Sequence, residues 1–241
     1  VVYILKPNDT VIFEFVLLIT ALAAVIFSIK YSKNVLNKTR IRTLALLQVL
    51  GILGQGVLGG ITVLTDLHPL PVAGHFLLSI FLISGAISLR YELVGVVREE
   101  AVGILKPILP LLIWLTLFVL IAGTIVTGSG PHAGDEQAKR FGFDPRFVSW
   151  LHADLVIALL VLTGMLFLIT RQSQLKVINK RIGLFLLICL AQGLVGYVQY
   201  FTGLPVVLVA IHLLGATLVW VSAWSLIKVA DSGFKLKGFH L

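Results

Sequence analysis

The sequence predicts an all-α integral membrane protein, and three observations lead to that reading. The chain is 58% hydrophobic with only 12% charged residues. Its apolar residues fall into long uninterrupted stretches, and its basic residues collect between alternate stretches. An ordinary soluble domain is about a quarter charged. With half that charge and a mean hydropathy of +1.03, 241 residues cannot cover a globular surface with polar side chains. This excludes a soluble enzyme, a disordered chain and a nucleic-acid-binding module. The net charge of +8 therefore belongs to loops between apolar segments, not to a nucleic-acid surface, and the lipid bilayer is the partner.

A spanning helix needs about 20 mostly apolar residues. Seven stretches qualify: 11–29, 43–64, 72–90, 107–127, 147–170, 182–201 and 205–227. All are far longer than the alternating segments of about ten residues that build a membrane barrel. Lys and Arg mark the cytoplasmic side. Fifteen of them lie in 30–42, 90–106, 171–181 and the tail after 227, against Lys6, Lys139, Arg140 and Arg146 on the other side. The N-terminus is thus expected outside and the C-terminus in the cytoplasm. The longest outer connection, 128–146, opens with the turn-forming Gly128-Ser129-Gly130-Pro131. Asp135 and Glu136 are placed to begin a short surface helix there. Cys189, the single cysteine, is expected to pack as a small apolar residue.

Two segments repeat without a gap. Gln55-Gly56-Val57-Leu58-Gly59 matches Gln192-Gly193-Leu194-Val195-Gly196, followed by Thr65 and Thr202, Leu67 and Leu204, and His75 and His212, all offset by 137. Both copies run outward, turn and run inward, which implies a parallel repeat about an axis along the membrane normal. The offset carries spans five to seven onto one to three. It carries span four to positions before residue 1. The predicted architecture is therefore a pseudo-two-fold duplicated four-helix bundle (4+4) truncated at the N-terminus. Residues 1–100 form an incomplete half-bundle and residues 101–241 a four-helix bundle.

Ionisable residues within spans are costly and face the protein interior or a function. Here they are Glu14, His75, His152, Asp154 and His212. The three histidines stand on inward-running helices, a few residues past the outer end, so they share one depth in the outer leaflet. Such an imidazole either hydrogen-bonds a neighbouring helix or ligates haem iron, which takes axial His; facing helices of a bundle can hold such a group. A zinc site lacks Cys or carboxylate partners at ligand spacing. The offset carries His152 to Phe15, and Glu14 stands where a second ligand of the first half would be. Glu14 either moves protons beside a bound ligand or snorkels at the membrane edge. Asp154 is expected to hydrogen-bond an adjacent helix or loop. His68, His132 and His240 are read as solvated. The glycines of spans two and six (Gly51, Gly54, Gly56, Gly59, Gly60, Gly193 and Gly196) allow close helix approach or make room for a flat macrocycle.

These motifs resemble one family. Gly123-Thr124-Ile125-Val126-Thr127-Gly128-Ser129-Gly130-Pro131-His132-Ala133-Gly134-Asp135 is similar to the outer-loop signature of bacterial haem A synthases, in an actinobacterial-like form. Leu151-His152-Ala153-Asp154-Leu155 is similar to the motif that follows it, and the run from Gln55 to Leu64 with His75 to the first-half motif. The resemblance covers about residues 48–225. It implies eight helices in two bundles, haem b held by His152 and His212, and haem O bound in the N-terminal half with His75 as a ligand. It also implies an activity-bearing glutamate at Glu14. The family's His or Asn followed by Arg is replaced after Phe15 by Val16, Leu17 and Leu18. The implied reaction oxidises the C8 methyl group of haem O to the formyl group of haem A, for cytochrome oxidase. The implied setting is the bacterial plasma membrane, with haem sites toward the outer leaflet. The partners are haem O synthase, oxidase assembly factors and an electron acceptor. A non-catalytic b-type cytochrome using the same His152 and His212, and a cofactor-free transporter built on the parallel repeat, are the competing readings.

Overall fold

A computed structural model describes residues 38–131 and 137–231, together with nine residues between 16 and 30, all of them helical. Six helices follow: α1 Lys38–Leu64, α2 Pro69–Val94, α3 Leu105–Ser129, α4 Pro145–Arg171, α5 Lys176–Phe201 and α6 Val206–Val229. All six are long and apolar enough to cross a membrane. At 1.5 Å per residue they exceed the ~30 Å hydrocarbon core. Large apolar side chains such as Val63, Leu187 and Phe201 stay exposed along them, as lipid-facing helices require. The chain is a multi-pass, helical membrane protein. Most of the first predicted span, with Glu14, lies outside the described residues, as do 132–136 and their signature residues, and His240.

The helices overrun the apolar stretches that predict them. Lys38, Arg40 and Arg42 belong to α1, Arg171 to α4, Lys176, Lys180 and Arg181 to α5, and Lys228 to the last turn of α6. They were expected in loops. Apolar composition marks the hydrocarbon core, whereas the helix continues into the headgroup layer, where basic side chains are stable. One further departure from the all-α reading is a two-residue parallel bridge of β1 (Glu99–Glu100) with β2 (Ala230–Asp231).

Local chemistry sets the helix ends. Asp144 caps α4, its Oδ1 accepting from the Arg146 N–H at 2.9 Å, and Pro145 occupies the first helical position. His68, read as solvated, caps α2 instead: its Nδ1 accepts from the Leu70 N–H at 3.3 Å. Glu99 reaches from the α2–α3 connection to the start of α5, where its two oxygens accept from the Val177 and Ile178 N–H groups at 3.0 and 2.9 Å. A carboxylate there meets orphan amides and the positive end of the helix dipole.

Helices α3, α4, α5 and α6 contact one another in a closed ring, and α2 docks against α3 and α6, carrying α1 on its other side. The α2–α6 contact is parallel and level. Trp220 Nε1 donates to Ser84 Oγ at 2.7 Å and Trp224 Nε1 to Ser88 Oγ at 3.0 Å, both pairs 136 residues apart. The core packs the basic-end half of the ring, with Leu109, Leu112, Ile178, Ile182, Phe185 and Leu226 essentially inaccessible.

The two hairpins share several turn features. α1 turns into α2 through Asp66 and Leu67 with φ of 51° and 56°, and α5 into α6 through Gly203 and Leu204 with φ of 78° and 60°. The Leu67 N–H donates to Thr62 O at 3.0 Å and the Leu204 N–H to Gln199 O at 2.8 Å. Thr65 Oγ1 donates to Ile61 O and Thr202 Oγ1 to Val198 O, at 2.8 and 2.7 Å. Asp tolerates the left-handed region and Gly adopts it freely, so the two copies solve one turn with different residues.

Candidate functional site

Each of the three membrane histidines sits two turns into a helix: His75 in α2 after Pro69, His152 in α4 after Pro145, and His212 in α6 after Val206. Each lies against a glycine of the helix paired with its own. A Cβ at Gly59 would stand 3.4 Å from His75 Cε1, one at Gly123 3.3 Å from His152 Cε1, and one at Gly196 3.0 Å from His212 Cε1. In all three the Cε1–Nδ1 edge faces the glycine, and Nε2 lies farther off. The missing side chain thus lets each imidazole lie edge-on to a helix backbone.

None of the three buried Nδ1 atoms has a hydrogen-bond partner of standard geometry.

The backbones behind His75 and His212 are clamped by the repeated glutamines. Gln192 Nε2 donates to His212 O at 2.6 Å. Gln55 Nε2 donates to His75 O at 3.1 Å and to Ser79 Oγ at 2.5 Å. Ser79 Oγ donates to His75 O at 3.0 Å. Gly215 accommodates the Gln192 amide, which would collide with any Cβ there.

His152 and His212 line one cavity of about 230 Å³, enclosed by α3, α4, α5, α6 and the start of α2. Ligand pockets of about 300–1,000 Å³ are usual, so the cavity is a small one. Its walls are mostly apolar, with Thr124, Thr127, Gln192 and Gln199 as further polar lining. Gln199 Oε1 is buried and unpartnered. Large side chains pack the basic-end half, while at the hairpin end Gly193 has open space where a side chain would stand.

His75 shares the depth of the other two but is not part of this cavity. It turns toward Gly59, while Val72, Ala73 and Phe76 of the same helix face the cavity. Asp154 is exposed and makes no hydrogen bond or ion pair among the described residues, in place of the expected bond to an adjacent helix or loop. Two residues beyond His152, it points away from the ring of helices. Cys189 is buried in the core and also borders the cavity. The small-residue reading needs dividing. Gly51 admits Leu82 and Gly54 admits Leu78, Gly59 and Gly196 receive imidazoles, and Gly56, Gly60 and Gly193 meet nothing within 4 Å. The cradle role of Gly123 was missed altogether. The repeated glutamines and glycines, twenty and sixteen residues before their histidines, were the available signal for the other two.

Comparison with family models, with curated proteins and with solved structures finds no match to this chain.

Proposed function

We propose that this chain is a membrane haem protein of the haem A synthase type. The observation that carries the proposal is the pair His152 and His212, brought by α4 and α6 to one largely apolar cavity within a closed ring of four helices. The donor set fits haem: two half-buried imidazoles, each set by a glycine so that Nε2 turns away from the supporting helix, with no carboxylate among the described lining residues. In this reading His152 and His212 hold haem b, whose iron supplies one-electron transfer when bound.

The chain's own contribution is positioning. Gly123 and Gly196 set the two rings, Gln192 fixes the His212 backbone, and the apolar walls exclude water. In the N-terminal half, His75, held by Gln55 and Ser79, fixes the iron of the substrate haem O. Glu14 moves protons during conversion of the C8 methyl to a formyl group. With water as the source of the formyl oxygen, that conversion releases four protons and four electrons, so an electron acceptor is a partner, alongside haem O synthase and oxidase assembly factors. The shared turn features of the two hairpins support the duplicated 4+4 design. The concentration of basic residues supports a cytoplasmic C-terminus and haem sites toward the outer leaflet of a bacterial plasma membrane.

A b-type cytochrome that only transfers electrons is the second reading, since it needs nothing beyond the cavity lined by His152 and His212. An absorption spectrum of the purified protein with haem b tests both. A six-coordinate low-spin spectrum is expected, lost in His212→Ala while the protein remains inserted. No Soret band, or an unchanged spectrum in the variant, rejects both. Co-expression with a source of haem O, followed by haem extraction, separates them: haem A appears only for the synthase.

A further inference from the structure

At the basic end of the bundle, away from the histidines, four charged side chains converge from three helices and one loop. Arg40 stands near the start of α1, Glu92 near the end of α2, Arg98 in the connection after it, and Lys228 at the penultimate position of α6. One carboxylate oxygen, Glu92 Oε1, accepts from both guanidinium groups, at 3.1 Å from Arg40 Nη2 and 3.4 Å from Arg98 Nη2. Lys228 reaches the same end of α2 through Trp224, whose Nε1 donates to Ser88, one turn before Glu92.

Two guanidinium groups thus share one carboxylate, and Lys228 has no anion of its own among the described residues. Lys228 is only 6% exposed and has neither an ion pair nor a hydrogen bond among the described residues. Its ammonium lies 5.7 Å from the centre of the Trp224 ring, and Trp224 is held by Ser88. Nearby Lys106 is already paired with Glu100 at 3.1 Å. A buried ammonium with two further cations close by is costly unless an anion joins it. All four groups lie within a turn or so of helix ends, at the level of the lipid headgroups.

We infer that Arg40, Arg98 and Lys228 form a binding site for an anionic phosphate ester at the basic ends of α1, α2 and α6. Two sources share that chemistry: the phosphodiester of an acidic lipid and a free phosphate from the aqueous phase. Basic pockets between transmembrane helices commonly take acidic headgroups. Glu92 neutralises one of the three cations and leaves a net charge of plus two for the ligand.

The experiment measures thermal unfolding and lipid adducts, by native mass spectrometry, of the full chain in neutral detergent. Phosphatidylglycerol, phosphatidylcholine and inorganic phosphate are added separately. Preferential retention and stabilisation by phosphatidylglycerol over phosphatidylcholine is expected, falling about fivefold for each cation removed in Lys228→Met or Arg98→Gln. Arg98 lies in an exposed connection, so its variant folds even where Lys228→Met does not. Arg171→Gln removes the same charge from the end of α4 and leaves the preference unchanged. Stabilisation by inorganic phosphate, with the same dependence on Lys228 and Arg98, assigns the site to the free anion. Equal effects of the two lipids with none from phosphate, or an Arg171 variant that loses as much as the other two, overturns the inference.

Discussion

Gly196→Ala isolates the cradle that sets His212. The new Cβ would stand 3.0 Å from His212 Cε1, 3.5 Å from Nδ1 and 3.9 Å from Nε2. Carbon atoms pack best at about 3.5–4.0 Å, so the ring must retreat by about half an ångström. The backbones cannot simply part, because Gln192 Nε2 holds His212 O at 2.6 Å one turn away. Overpacking of this kind costs about 1–3 kcal/mol, while replacing a helical glycine returns about 0.5–1 kcal/mol. A net destabilisation of about 1 kcal/mol remains. The effect on a bound haem is larger, because ligand positioning outside the coordination sphere changes metal affinity about 10–100-fold. The assay is haem b titration with the absorption spectrum as readout, beside thermal unfolding of the same samples. Gly164→Ala, in α4 with nothing within 4 Å of its Cβ, is the control and is expected to be neutral or stabilising with an unchanged spectrum. Gly123→Ala, at 3.3 Å from His152 Cε1, falls between. Gly59→Ala acts on His75 and leaves the haem b spectrum alone. Wild-type affinity and spectrum in Gly196→Ala would refute the cradle.

Two further perturbations test how the scaffold holds the site. Glu99→Ala removes both acceptors from the α5 N-terminus and is expected to cost about 1–2 kcal/mol, read as a lower midpoint in thermal unfolding; Glu99→Gln, which keeps one acceptor, loses less. Trp220→Phe removes the buried hydrogen bond to Ser84 and is expected to cost at least about 1 kcal/mol. The double variant with Ser84→Ala should lose less than the sum of the two single changes.

What the sequence made legible follows from the solvent. In lipid every backbone group must be satisfied within its own segment, so apolar length reports helices directly, and all six described helices contain a predicted span. Depth along each helix was equally legible, which is why three histidines at one level could be recognised. Partnership was not. Which histidines share a cavity depends on the direction each side chain takes around its helix, and that is set by packing. His75 matches His152 and His212 in depth yet faces Gly59. Hydropathy was also silent about the helix ends. Lys228 was counted with the tail, although it is buried in α6. The cap from Glu99 crosses 78 residues to Val177, a distance over which no local pattern operates.

The repeat carries a sharper test, because its copies are alike in geometry and unlike in redundancy. Gln55 and Gln192 each donate to the carbonyl of the histidine twenty residues on. In the first copy Ser79 also donates to that carbonyl, at 3.0 Å, and accepts from Gln55. The corresponding position in the second copy is Ala216, which has no hydroxyl. Gln55→Leu therefore leaves His75 O with a second side-chain partner, whereas Gln192→Leu leaves His212 O with none. A neutral hydrogen bond contributes about 1 kcal/mol net, so Gln192→Leu should lower stability by about that amount more than Gln55→Leu. Ser79→Ala combined with Gln55→Leu should close the gap. Thermal unfolding of the three variants measures the order. Gln192→Leu should also weaken haem b binding, since it frees the backbone behind a proposed ligand, while both first-copy variants leave that binding intact. Equal losses in the two copies would mean that the hairpin packing, and not the glutamine, holds each histidine in place.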